Sequence, residues 1–127
     1  MATFKNEIKT ISLFKLKSLS AGDSGTSDIV DVRDISSRGE FSINAHVAAG
    51  TSTTAGTTTF KYMAASTEDG SFVVPTSGTF GTVGPTIADY MISLDPILTP
   101  FIKIIATQTG SGTAGANSKI SAELNVQ

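Results

Sequence analysis

Few residues in this chain are of a type and spacing that could do chemistry. Gly110-Ser111-Gly112-Thr113-Ala114-Gly115 fits the GxGxxG spacing that lets a backbone close around a pyrophosphate. That use requires a helix straight after the loop, a returning parallel strand and an acidic residue ~20 positions on. Only twelve residues follow Gly115, and they alternate like a strand, so the glycines read as a hairpin loop. Asp28, Asp31 and Asp34 resemble the start of a cation site. On a strand, a spacing of three turns Asp31 away from Asp28 and Asp34, and no calcium-loop pattern with a closing glutamate is present. They read as solvated charges on an edge, as do Glu68 and Asp69 at a turn.

His46 is the single histidine, and the chain has no cysteine. Counting alone therefore excludes a metal centre built from several of these ligands, as well as disulfide and thiolate chemistry. A Ser/His/Asp triad assembles only in space, and no GxSxG element accompanies His46. Nothing points to a cleft that would hold paired catalytic carboxylates. Tyr62, Tyr90 and the seven phenylalanines read as core, and there is no tryptophan to stack on a sugar. The expectation is a protein that is not an enzyme, with no cofactor and no metal.

What would position these residues is a set of strands. The pattern is clearest from Lys119 to Gln127, where Ile120, Ala122, Leu124 and Val126 fall on one side and Lys119, Ser121, Glu123 and Asn125 on the other. A period of two with a polar second face marks a half-buried antiparallel strand. Phe101–Thr107 is apolar on both sides: Ile102, Ile104 and Ala106 face one way, Phe101 and Ile105 the other. Such a strand is central or has its second face covered. A hairpin centred on Thr113 would place Ile102 opposite Leu124, Ile104 opposite Ala122 and Lys103 opposite Glu123. The last pair would contribute about 0.2–1 kcal/mol, and a slip of one residue would turn both apolar sets outward.

Elsewhere, Phe41, Ile43, Ala45 and Val47 alternate with Ser42, Asn44 and His46. Thr58–Ala65 places Phe60 and Tyr62 on one face, and Asp28–Asp34 and Tyr90–Leu94 read as further strands. Thr10–Leu19 reads as extended, and Ser20–Ser27 (SAGDSGTS) as a flexible break. Glu68-Asp69-Gly70-Ser71 is a turn, with Phe72–Val74 after it, and Thr76–Ala88 reads as irregular. Seven or eight strands at this spacing, without a helical run, predict an all-β antiparallel β-sandwich, jelly-roll or immunoglobulin-like. Residues 28–127 would form the sandwich. Residues 1–27 would be an N-terminal arm or an edge strand, plus a link.

With 127 residues the chain is long enough for one real core. Ile, Val, Leu and Phe total 32, above the range of disordered chains, while Ser, Thr and Gly total 46, which suits short strands and polar turns. A net charge of −2 with no basic stripe gives no field for nucleic acid. Lys5, Glu7, Lys9, Lys15 and Lys17 interrupt the first twenty residues, so no secretory signal or membrane segment is expected there.

From about Ser27 onward the chain resembles a known family. The residues that carry the likeness are Ser66-Thr67-Glu68-Asp69-Gly70-Ser71-Phe72, the Gly/Pro-rich stretch after them, Leu94-Asp95-Pro96, and Pro100-Phe101-Ile102-Lys103-Ile104. Ala106-Thr107-Gln108-Thr109-Gly110 and the terminal Leu124-Asn125-Val126-Gln127 complete it. Together they are similar to small β-sandwich virion proteins of tailed bacteriophages, the capsid decoration or cement type. The likeness is one of spacing and turn chemistry over roughly four fifths of the chain, and it carries no catalytic residues. It implies a structural protein on the capsid surface of the virion, made in the host cytoplasm, with the major capsid protein as partner. A homo-oligomer on the shell would be expected, with no nucleic acid or membrane involved. Candidate partner contacts are Phe4, Ile8, Ile11 and Phe14 of the arm, with Phe101 and Ile105. Ordinary core packing is the alternative for each. A second reading is a tail-fibre or baseplate module that binds a glycan or receptor through loops Ala48–Thr57 and Thr76–Ala88.

Overall fold

The computed structural model describes residues 8–20, 22–33, 40–49, 57–84, 86–97, 99–108 and 117–127. Its strands are β1 (Lys9–Ser20), β2 (Ser24–Thr26), β3 (Val30–Asp31), β4 (Phe41–Ala49), β5 (Thr58–Ala65), β6 (Thr79–Val83), β7 (Asp89–Leu94), β8 (Phe101–Gln108) and β9 (Asn117–Val126). All pairing is antiparallel, and no helix occurs among the described residues. One sheet runs β1-β9-β4-β7, the other β2-β8-β5-β6, with β3 also on β8. The protein is an all-β sandwich.

Its wrapping follows from the pairs. With β2 and β3 taken as one broken strand, the first strand pairs with the last and the second with the last but one. β4 then pairs with β7, and β5 with β6. That nesting is one long antiparallel ribbon folded over on itself, the jelly-roll order and not the immunoglobulin one.

The strands fold this way because alternation gives each sheet one greasy face. From β9, Ile120, Ala122, Leu124 and Val126 point inward, and Ile43, Ala45 and Val47 join them from β4. The other sheet answers with Phe60 and Tyr62 from β5 and Ile102, Ile104 and Ala106 from β8. Each large inward side chain contributes about 1.5–3 kcal/mol relative to exposure. The Tyr62 hydroxyl accepts a bond from Ile97 N–H at 2.9 Å, so its polar end is satisfied.

The expected hairpin between the last two strands does not form. Strands β8 and β9 lie in opposite sheets, and residues 109–116 link one layer to the other. Ile102 sits opposite Ala64 and Val30, whereas Leu124 sits opposite Ile43 and Ile11. The residues meant to pair both point inward, but from facing layers. Lys103 consequently has no Glu123 across from it. It lies beside Met63, with its Nζ 4.4 Å from the centre of the Phe72 ring. The GxGxxG stretch falls outside the described residues.

Four further expectations change. Ser20–Ser27 is a built corner: Asp23 N–H donates to Ser20 O at 2.9 Å and Gly22 N–H to Gln108 O at 2.8 Å, and β2 follows. Gly22 has φ +87°, the left-handed backbone that glycine adopts without steric cost. Buried Ser27 then closes the gap between β2 and β3, its hydroxyl accepting from Ile104 N–H at 2.9 Å. The strand expected over Asp28–Asp34 shrinks to Val30–Asp31, with Asp34 outside the described residues. Thr76–Ala88, read as irregular, contains β6, whose Phe80 stacks on Phe60 with ring centres 6.1 Å apart. Gly81 lets β6 approach the other layer, because a Cβ there would stand 2.5 Å from Ile92 Cγ2. The Glu68–Ser71 turn is present, but Val73 after it makes only a single bridge to Ala64.

Candidate partner-binding surface

Strand β1 is paired with β9 from Lys9 opposite Val126 to Ser20 opposite Asn117, so this stretch is an edge strand of the chain's own sheet. Its alternation is broken by bulges between Ser12 and Phe14 and between Phe14 and Lys17. These irregularities let Phe14 and Leu19 both turn inward. Phe14 is 7% exposed and belongs to the core, and Ile11 packs half-buried against that core. Ile8 is open, at 64% exposure, on the rim of a shallow depression with Phe41 and Val126. Phe4 lies outside the described residues.

The second face of β8 is covered at Phe101 and only partly so at Lys103 and Ile105. Phe101 is buried, opposite Asp31 on one side and Ala65 on the other. The Arg33 guanidinium lies 4.8 Å from its ring centre, a cation–π contact. Arg33 is held in place by Asp31, to which it donates from Nε at 2.9 Å, from Nη2 at 2.7 Å and from its backbone N–H at 3.1 Å. Those bonds, the side-chain ones foremost, hold the Asp31 carboxyl below its ordinary range. Ile105 is half-buried between Lys61 and Thr26. Of the six candidates, Phe14 and Phe101 are therefore taken up by the chain's own packing, while Ile8 and, in part, Ile105 remain at the surface.

The outer face of the β1-β9-β4-β7 sheet was not singled out by the sequence. It consists of cross-strand rows. One runs Thr10, Asn125, Ser42, Ser93, with Thr10 Oγ1 donating to Asn125 Oδ1 at 2.8 Å. The next runs Ser12, Glu123, Asn44, Met91. A third runs Ser121, His46, Asp89. Here the lone histidine meets a serine and an aspartate in register, with His46 Nδ1 2.8 Å from Asp89 Oδ1.

The third row invites a catalytic reading, but its geometry gives little support for one. The His46 and Asp89 side chains are 48% and 75% exposed on an open face. Ser121 Oγ accepts from Leu16 N–H at 3.0 Å, and it is not hydrogen-bonded to His46. What the row offers is a fixed pattern of donors and acceptors on a solvent-exposed sheet face. Leu16 itself has φ +49°, strained for a branched residue, at the bulge beside Ser121. Among the described residues no group of three or more His, Cys, Asp or Glu is placed to hold a metal ion, and no helix is long and apolar enough to cross a membrane. The sequence did contain the signal for this face, namely the polar half of each alternating strand plus Met91 on the polar side of YMISL.

Fold and surface together define a small jelly-roll sandwich with a buried apolar core and, on the β1-β9-β4-β7 sheet, an outer face made mostly of polar rows. No protein-family model matches the sequence, and a comparison with curated proteins gives no match either.

Proposed function

We propose that the protein is a structural virion protein of the capsid decoration or cement type, which binds the outside of an assembled phage shell and reinforces contacts between its subunits. The observation that carries this reading is the jelly-roll wrap, a fold that recurs in viral coat domains. The sequence resemblance from Ser27 onward points the same way. Fold alone does not fix function, since lectins and cupins share the wrap. A cupin-like metal centre needs several histidines, and this chain has one. A sheet face made of ordered Ser, Thr and Asn rows suits broad, shallow contact better than capture of a small molecule in a cleft. Many copies, each making a modest contact, would add stability to the shell by mass action. Ile8 and Ile105 remain candidate contacts with the major capsid protein.

The test is co-sedimentation of the full chain with empty shells assembled from the major capsid protein of the same virus. Saturable pelleting at a fixed ratio to the capsid subunit is the expected result. Absence of pelleting, or glycan binding without pelleting, would replace this reading with the fibre or baseplate module.

A further inference from the structure

The two edges of the β1-β9-β4-β7 sheet are built differently. At one edge β1 carries two bulges, a left-handed Leu16 and the exposed Lys15 and Lys17, all devices that discourage another strand from pairing. At the other edge β7 is regular, with an unbroken register against β4 from Phe41–Leu94 to His46–Asp89. Val47 N–H donates to Ala88 O at 3.0 Å. By the alternation of an antiparallel ladder, Tyr90, Ile92 and Leu94 then bond toward β4, and Asp89, Met91 and Ser93 aim their N–H and C=O groups outward. No described strand pairs with that side of β7. Met91, at its middle, is 74% exposed.

We propose that β7 pairs antiparallel with β7 of a second copy about a twofold axis at Met91, joining two four-stranded sheets into one of eight. The strand is self-complementary in this register. Met91 faces the partner's Met91, so two exposed thioether side chains cover one another. Asp89 faces the partner's Ser93, whose hydroxyl can donate to the carboxylate that already holds His46. About six backbone hydrogen bonds would form across the axis. Neighbouring registers are worse. A twofold at Asp89 sets two carboxylates against each other, one at Ile92 sets Asp89 against the partner's Asp95, and one at Tyr90 sets Asp89 against the Met91 thioether. The interface is isologous and closes at two copies, so it does not lead to filaments. It is independent of shell binding.

The test uses the full chain, which has no cysteine of its own. In the proposed register two residues at position 91 have Cα atoms about 5.5 Å apart, within disulfide reach. Two residues at position 93 are four positions out of register, about 14 Å apart along the strands. M91C should therefore cross-link to a dimer under mild oxidation, and S93C should not. Light scattering should show a concentration-dependent dimer for the unaltered chain. M91K should shift that dimer to monomer, because it places two like charges on the axis, and M91L should retain it. The proposal is overturned by a chain that stays monomeric up to about 1 mM, where even millimolar affinities register. It is also overturned by a dimer that M91K leaves intact, or by cross-linking through S93C and not M91C. Because the cross-linking arm uses small substitutions at an exposed edge, it stands even if M91K fails to fold.

Discussion

A chain beginning at Ala21, lacking the first strand, should lose most of its cooperative thermal unfolding. Strand β1 covers one side of β9 along its whole length, and it places Phe14 and Leu19 in the core. Burying those two side chains contributes about 1.5–3 kcal/mol each. Ile11 and Leu13 add partial burial, and the β9 backbone groups that bond β1 would be left open. Against a total of about 5–15 kcal/mol for a domain, the loss approaches the whole. The measurement is thermal unfolding followed by circular dichroism. Equal melting temperatures for the truncated and full chains would mean that β1 contributes nothing to the body and behaves as an arm. Truncation is for the same reason a poor probe of shell binding, since it would disturb the fold before it removed a contact.

The second large effect concerns Phe60. Its ring is fully buried and stacks on Phe80, beside Tyr62, where β5 and β6 close the ribbon. Phe60→Ala should cost about 3–5 kcal/mol, because the neighbouring side chains are fixed by two sheets and collapse poorly into the space left. In urea the midpoint should fall by about 1 M or more, given slopes of about 1–3 kcal/mol/M. Phe72→Ala offers the comparison. That ring lies half-exposed against Lys103, outside the core cluster, and its loss should cost distinctly less. Equal costs at the two positions would contradict the inward placement of Phe60.

Much of the fold was legible in the sequence because alternation reports which way a side chain points. Strands β4, β5 and β9 follow their apolar residues closely, and all of those inward positions are buried except Phe41, which is half-buried. Alternation does not report which sheet a strand joins. Ile102 with Leu124, and Ile104 with Ala122, look equally complementary as hairpin neighbours and as residues meeting across a core about 10 Å thick. The intervening residues 109–116 are enough for either connection. Strand β6 was hidden because an inward position is held by Gly81, which the close approach of Ile92 requires and which carries no apolar signal. Strand β1 was ambiguous because its bulges break the period of two.

The candidate surface was harder to read, for a related reason. Phe14 and Phe101 stand out in the sequence because they are apolar, yet that same property places them inside the molecule. The residues that do present a surface, such as Ser42, Asn44, His46, Asp89 and Met91, are individually unremarkable in sequence. They become a pattern only when four strands bring them into register.

The jelly-roll wrap requires β8 and β9 to lie in facing layers. Cross-strand Hα–Hα contacts by nuclear magnetic resonance test this directly, because facing Cα atoms in the non-hydrogen-bonded pairs of an antiparallel ladder approach to about 4.5 Å. Glu40 and Gln127 exchange backbone bonds, at 3.3 and 3.0 Å, which sets the alternation along β4 and β9. Strong contacts are therefore expected between Ile43 and Leu124 and between Ala45 and Ala122. Contacts joining Ile102 to Leu124 or Lys103 to Glu123 would show the two strands paired side by side and would contradict the jelly-roll wrap.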